Sequence, residues 1–84
     1  MGRNKRIQPT RLAEKLKSIR EKHNLTGEQL IEKLNCPQFS LHRASVSEYE
    51  KGRREPPSLI LLAYARLAEI PLENLVDDDL NLPH

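Results

Sequence analysis

The sequence predicts an all-α fold of five short helices, with no convincing strand. Three observations lead there. Apolar residues recur at i, i+3, i+4 and i+7 rather than in alternation, helix-starting residues stand before most of these runs, and Gly, Asn or Pro closes them after two or three turns. With 84 residues the chain suits one small domain, and 4% aromatic content makes its core aliphatic. A core this small is marginal, so leftover apolar surface favours a partner.

Residues 1–8 carry no pattern and read as a basic flexible arm, ahead of a domain over 9–76. Pro9 suits the first turn of a helix, and Leu12, Leu16 and Ile19 then mark one face. Arg11, Lys15, Lys17 and Lys22 fall mostly on the other faces, and the helix ends near His23 and Asn24. Thr26-Gly27-Glu28-Gln29 fits a capping box, in which the Thr26 oxygen accepts the Gln29 N–H and the Gln29 side chain reaches back. A second helix follows with Leu30, Ile31 and Leu34 inward. Asn35 can end it in a left-handed conformation, and Pro37 forbids continuation. In the connection CPQFSLHRA, either Ser40 caps a helix from Leu41 with Phe39 as its staple, or the helix begins nearer Arg43. This third helix carries Val46 and Tyr49 and stops before Gly52. Pro56 and Pro57 lead into a fourth, with Ser58 near its cap and Leu61, Tyr64, Ala65 and Ala68 inward. Residues 71–76 form a short fifth helix, and 77–84 a loose acidic tail.

Charge is unevenly spread. Residues 1–22 hold eight Lys/Arg and two Glu, and residues 56–84 one Arg and five acids, while the whole chain is only +2. Such a split suits a chain with one end towards a polyanion, or simply a solubilising tail. The single cysteine, Cys36, cannot form an internal disulfide. No apolar run approaches the roughly 20 residues of a membrane span, and no signal-peptide core follows the basic start. The expected location is cytoplasmic. His23, His42, His84 and Cys36 match no zinc spacing, and there is neither a Gly-rich phosphate loop nor a nucleophile elbow. Glu48 and Glu50, two apart on a helix, do not form a carboxylate pair. The sequence therefore predicts no enzyme, no metal and no cofactor.

Three stretches, LKSIREKHNLTGEQLIEKL (16–34), SVSEYEKGRREPPS (45–58) and LAYARLAEIPLENL (62–75), resemble in order the lambda-repressor-like, Cro/Xre-type helix-turn-helix proteins. The resemblance covers roughly residues 11–76. It implies a sequence-specific transcriptional regulator of double-stranded DNA, with the third helix in the major groove. On that resemblance, Arg43, Ala44, Ser47 and Glu48 reach bases, and Thr26, Gly27, Ser45, Lys51, Arg53 and Arg54 contact the DNA backbone. Arg43 suits guanine O6/N7, Ala44 a thymine methyl and Glu48 cytosine N4. Arg43 could equally contact phosphate alone, and Glu48 could pair with Lys51 or Arg43. Gly27 stands where the family favours Gln, Ile31 and Asn35 where it favours Ala and Gly, and the connection between the second and third helices is lengthened.

The fourth helix is apolar almost all round. Leu59, Ile60, Leu62 and Leu67 lie outside its inward stripe and are the expected dimer interface of a homodimer. The alternative cover for that patch is the tail, folding back with Leu80 and Leu82. The alternative function is an antitoxin or accessory module that uses the helix-turn-helix scaffold for a protein partner.

Overall fold

The computed structural model describes residues 11–82, with five helices and, among those residues, no strand. They are α1 (Leu12–Lys22), α2 (Gly27–Leu34), α3 (Arg43–Glu50), α4 (Ser58–Ala68) and α5 (Glu73–Val76). The basic arm and Pro9 lie outside the described residues. α3 begins at Arg43, the later of the two expected starts.

The helix ends follow from a few residues. Thr26 Oγ1 accepts the Gln29 N–H at 3.1 Å and the Thr26 N–H donates to Gln29 Oε1 at 2.9 Å, which completes the capping box of α2. Asn35 ends the same helix at φ 53°. α1, α3 and α4 share a different closure, in which a left-handed residue lets the next N–H reach back to the helix. The donors are Leu25 to Arg20 O at 3.1 Å, Arg53 to Glu48 O at 2.9 Å and Ile70 to Ala65 O at 3.0 Å. The left-handed residues are Asn24, Gly52 and Glu69. Gly52 adopts φ 75° without the Cβ penalty that the other two bear.

α1 packs against α3, α4 and α5, and α2 against α3 and α4. Leu16, Leu30, Ile60, Tyr64 and Leu75 are fully enclosed where these helices meet. Each of the four aliphatic side chains contributes about 1.5–3 kcal/mol by leaving water. The Tyr64 hydroxyl has no hydrogen-bond partner among the described residues, and burial drives its pKa well above the ordinary tyrosine value. It stays neutral, so its burial costs far less than that of a charge.

The eight-residue connection 35–42 is not slack. Cys36, Phe39 and Leu41 pack on the core, and the Phe39 N–H closes a turn on Cys36 O at 3.0 Å. The lengthened turn therefore carries apolar anchors of its own into α3.

Two expectations need correction here. Ile60, assigned to a dimer surface, is 0% exposed and belongs to the core. The residues from Asp77 onward are not loose, because through residue 82 they dock along α1. Asp78 Oδ1 accepts the Arg11 N–H at 3.0 Å, and the Arg11 guanidinium donates to Asp78 O at 2.8 Å and Asn81 Oδ1 at 2.7 Å. Asn74 Nδ2 donates to Asn81 O at 3.0 Å, which ties α5 to the same segment.

Lys15 completes the clamp, and it too departs from expectation. It is 3% exposed, and its ammonium donates to Asn74 O at 2.8 Å and Asp77 O at 2.9 Å. The position explains the burial: Lys15 follows Leu12 by three residues and precedes Ile19 by four, which is the core stripe. Its tip finds carbonyls left open at the end of α5. Burial first, and the neighbouring Arg11 charge second, lower its pKa from the ordinary lysine value. Lys15→Ala should cost about 2 kcal/mol, since it leaves these carbonyls without their charged donor. Thermal and urea melts read this as a fall in Tm of roughly 10 °C; an unchanged Tm would show that the clamp contributes nothing.

Candidate nucleic-acid interface

α3 lies across α1 and α2 with two unlike sides. Val46 and Tyr49 are 3% exposed on the inner side. On the outer side Arg43 and Ala44 are exposed and Ser47 and Glu48 half-buried. At 100° per residue, positions 43, 44, 47, 48 and 51 form one stripe.

The angle of this stripe is set by a residue the sequence reading did not single out. Arg20 of α1 grips Glu50 of α3 through two bonds, Nε to Oε2 at 2.7 Å and Nη2 to Oε1 at 3.1 Å. Its third nitrogen, Nη1, donates to Leu25 O at 3.0 Å in the turn before α2. The Glu50 side chain is only 9% exposed. The bond to Glu50 further raises the already high pKa of the guanidinium. The planar fork of arginine matches a carboxylate edge, so this pair fixes orientation as well as distance.

A shallow groove between α1, α2 and α3 brings together Lys17, Gly27, Arg43, Ser47 and Lys51. Four of these, Gly27, Arg43, Ser47 and Lys51, were read as site residues, and Lys17 as an outward cation of the first helix. Gly27 meets the stem of Arg43: a Cβ built on Gly27 would lie 3.5 Å from Arg43 Cγ, an ordinary contact. The chain after α3 carries Lys51, Arg53 and Arg54, all exposed. Gly52 holds this basic loop close to α1, where its Cβ position is 3.7 Å from Ala13 Cβ.

The remaining expected residues have definite surroundings. Thr26 is exposed, and its hydroxyl caps α2. Ser45, expected at the DNA backbone, is buried instead. It is 8% exposed, and its hydroxyl accepts the His42 N–H at 3.2 Å, so it braces the start of α3. Glu48 pairs with Arg54 at 3.4 Å, a partner neither sequence alternative named. Arg54 also lies 5.7 Å from the centre of the Tyr49 ring. Arg43 reaches Glu28 at 3.6 Å. Among the described residues no acid is in ion-pair reach of Lys17, Lys51 or Arg53. The cations of this face thus fall into two kinds, open ones and ones held by an acid.

On another side, Leu59, Leu62 and Leu67 line a second groove with Ala63, Lys33 and Arg66, between α4 and the end of α2. Leu59 is 53% exposed there. The docked segment 77–82 lies on α1 instead, so it does not supply the alternative cover for this patch. Among the described residues no three His, Cys, Asp or Glu side chains gather as a metal site, and no helix is long and apolar enough to cross a membrane.

Comparison with known proteins gives one finding. A family model described as helix-turn-helix matches residues 16–75, which runs from the middle of α1 into α5. No curated protein and no solved structure matches the chain.

Glu50→Ala removes the partner of a half-buried guanidinium and should destabilise the domain by about 3 kcal/mol. A urea titration checks the loss. Stability within experimental error of the native chain would show that α3 is held by its apolar side alone.

Proposed function

This chain belongs to the Cro/C1-type, lambda-repressor-like family of helix-turn-helix DNA-binding regulators, and on that premise we propose that it is a sequence-specific transcriptional regulator that reads duplex DNA with α3 in the major groove. The observation that carries this reading is the juxtaposition of an exposed stripe on α3 with open cations beside it, Lys17 and Lys51 in the groove that Arg43 and Ser47 also line and Arg53 in the exposed loop that follows α3. A major groove about 12 Å wide admits one helix, and cations beside it neutralise the phosphates that border it.

Within that reading Arg43, Ala44, Ser47 and Glu48 face base edges. Lys17, Lys51, Arg53 and Arg54 take phosphates. The Thr26 hydroxyl accepts from Gln29 and keeps its own proton to donate to a phosphate, beside the backbone N–H groups of Gly27 and Glu28 at the start of α2. Arg43 suits the paired acceptors of guanine, since its guanidinium stands exposed at the first turn of α3. The site of action is the cytoplasm.

A single eight-residue helix covers only a few base pairs, so one copy gives modest discrimination. A second copy seated on the Leu59, Leu62, Leu67 groove would shield that apolar surface and present two α3 helices about 34 Å apart, one DNA turn. The same groove would serve a protein partner if the chain were an antitoxin or accessory module. An antitoxin would bind its own promoter as well, so duplex binding separates DNA recognition only from a module that binds protein alone.

Titration of the full chain against labelled duplexes at several salt concentrations tests the proposal. About four phosphate contacts per copy give a log–log slope near −3.6. Arg53→Ala should flatten that slope by about 0.9 on every sequence, whereas Arg43→Ala should relax preference at one base position at a cost of about 1–3 kcal/mol. Absence of binding at low salt, or binding indifferent to salt, rejects DNA recognition in favour of the protein-partner reading.

Sedimentation over a concentration series tests the dimer. Leu59→Glu changes a residue that is largely exposed in the single copy, so folding survives while association weakens. A native chain that stays monomeric and binds DNA as one copy, unaffected by Leu59→Glu, excludes the second copy.

A further inference from the structure

The reading face holds an acid whose place the helix-turn-helix role does not require. Glu28 stands in the first turn of α2, where the helix dipole favours a carboxylate. The dipole does not explain its reach to the neighbouring helix. Glu28 Oε2 lies 3.6 Å from Arg43 Nε, and both side chains are about three-quarters exposed, at 76% and 75%. The stem of Arg43 meanwhile passes Gly27, the residue before Glu28, where a Cβ would stand 3.5 Å from Arg43 Cγ. Arg43 thus runs beside two consecutive residues of α2, with Gly27 near its stem and Glu28 beside its head. The open cations Lys17, Lys51 and Arg53 have no such neighbour among the described residues.

We propose that Glu28 is a specificity-determining residue that acts through Arg43. This rests on the reading of α3 as the recognition helix. A DNA phosphate offers Arg43 little more than Glu28 already does, and the Glu28 carboxylate repels it. A guanine edge offers two acceptors in the fork geometry of the guanidinium and bears no full negative charge. An exposed pair is weak enough for that exchange to proceed. Glu28 therefore withholds Arg43 from the backbone of arbitrary sequences and yields it to the right base. Discrimination arises from an interaction disfavoured in the wrong complex as well as one favoured in the right complex.

The test uses the full chain, a duplex selected from a random pool and a scrambled duplex of equal length. Affinity is measured by fluorescence anisotropy for the native chain, Glu28→Gln, Arg43→Ala and the double variant, with a thermal melt of each to establish folding. Glu28→Gln should tighten binding to the scrambled duplex about two- to fivefold and leave the selected one within about twofold, so that their ratio falls. The salt slope on the scrambled duplex should steepen by about 0.9, one added phosphate contact. In the Arg43→Ala background the same change should leave the ratio where it was. An unaltered ratio for Glu28→Gln in the native background overturns the proposal. An equal fall with and without Arg43 overturns it too, since Glu28 would then act on DNA directly. If the native chain binds neither duplex at low salt, the recognition-helix reading itself fails, a result distinct from both.

Discussion

Arg20 joins three parts of the chain that must keep one relation if α3 is to present a surface. Its backbone belongs to α1, its fork holds Glu50 near the end of α3, and its third nitrogen holds the turn that opens into α2. A sliding apolar contact would allow α3 to rotate about its axis, because Val46 and Tyr49 offer few directional constraints. A two-bond arginine–carboxylate contact admits little rotation. The desolvation of both partners offsets much of their attraction, so the pair contributes orientation more than net stability. Stability comes mainly from the aliphatic side chains enclosed between the helices, of which Leu16, Leu30, Ile60 and Leu75 are fully buried.

The segregated charge of the sequence has a second use inside the fold. Arg11 and Lys15 count towards the basic N-terminal third, yet both are engaged by residues 74–81. Part of the charge split is therefore internal complementarity, and only the remainder is available to a polyanion. The engagement matters to the reading face because α1 is short. Asp78 and Asn81 hold Arg11 at its start, and two residues further on Ala13 faces Gly52 of the basic loop, 3.7 Å from where a Cβ would stand. The acidic end of the chain and the cationic loop thus both approach the first turns of this short helix.

Local signals in the sequence sufficed for the five helices, because they are decided by neighbours three or four residues apart. The Thr26–Gln29 box, the left-handed Asn35 and the Gly52 stop all belong to this kind. So did the two-sided character of α3. What escaped notice depends on partners 30 to 67 residues away: Arg20 with Glu50, Lys15 with Asn74 and Asp77, Arg11 with Asp78. For Lys15 a signal did exist, since its spacing from Leu12 and Ile19 places it on the core stripe, but residue type suggested the surface. Ile60 shows the converse. Its neighbours Leu59 and Leu61 are exposed and buried in turn, and hydrophobicity alone does not rank the faces of a helix that is apolar all round. The left-handed Glu69 at the end of α4 gave no signal at all, as glutamate carries no preference for that conformation.

The lengthened connection before α3 would be a weakness if it left the start of the helix unguided. It does not, because α3 is constrained along its whole length by different kinds of contact. At its start the connection is anchored by Cys36, Phe39 and Leu41 on the core, and the Ser45 hydroxyl accepts the His42 N–H. In the middle Val46 and Tyr49 are buried, and at the end Glu50 meets Arg20 while Gly52 turns the chain towards Ala13. Each contact alone is modest, but together they restrict translation, tilt and rotation separately. A helix held in this way can leave its outer stripe to a handful of side chains, and an acid on the adjacent helix can then determine what one of them does.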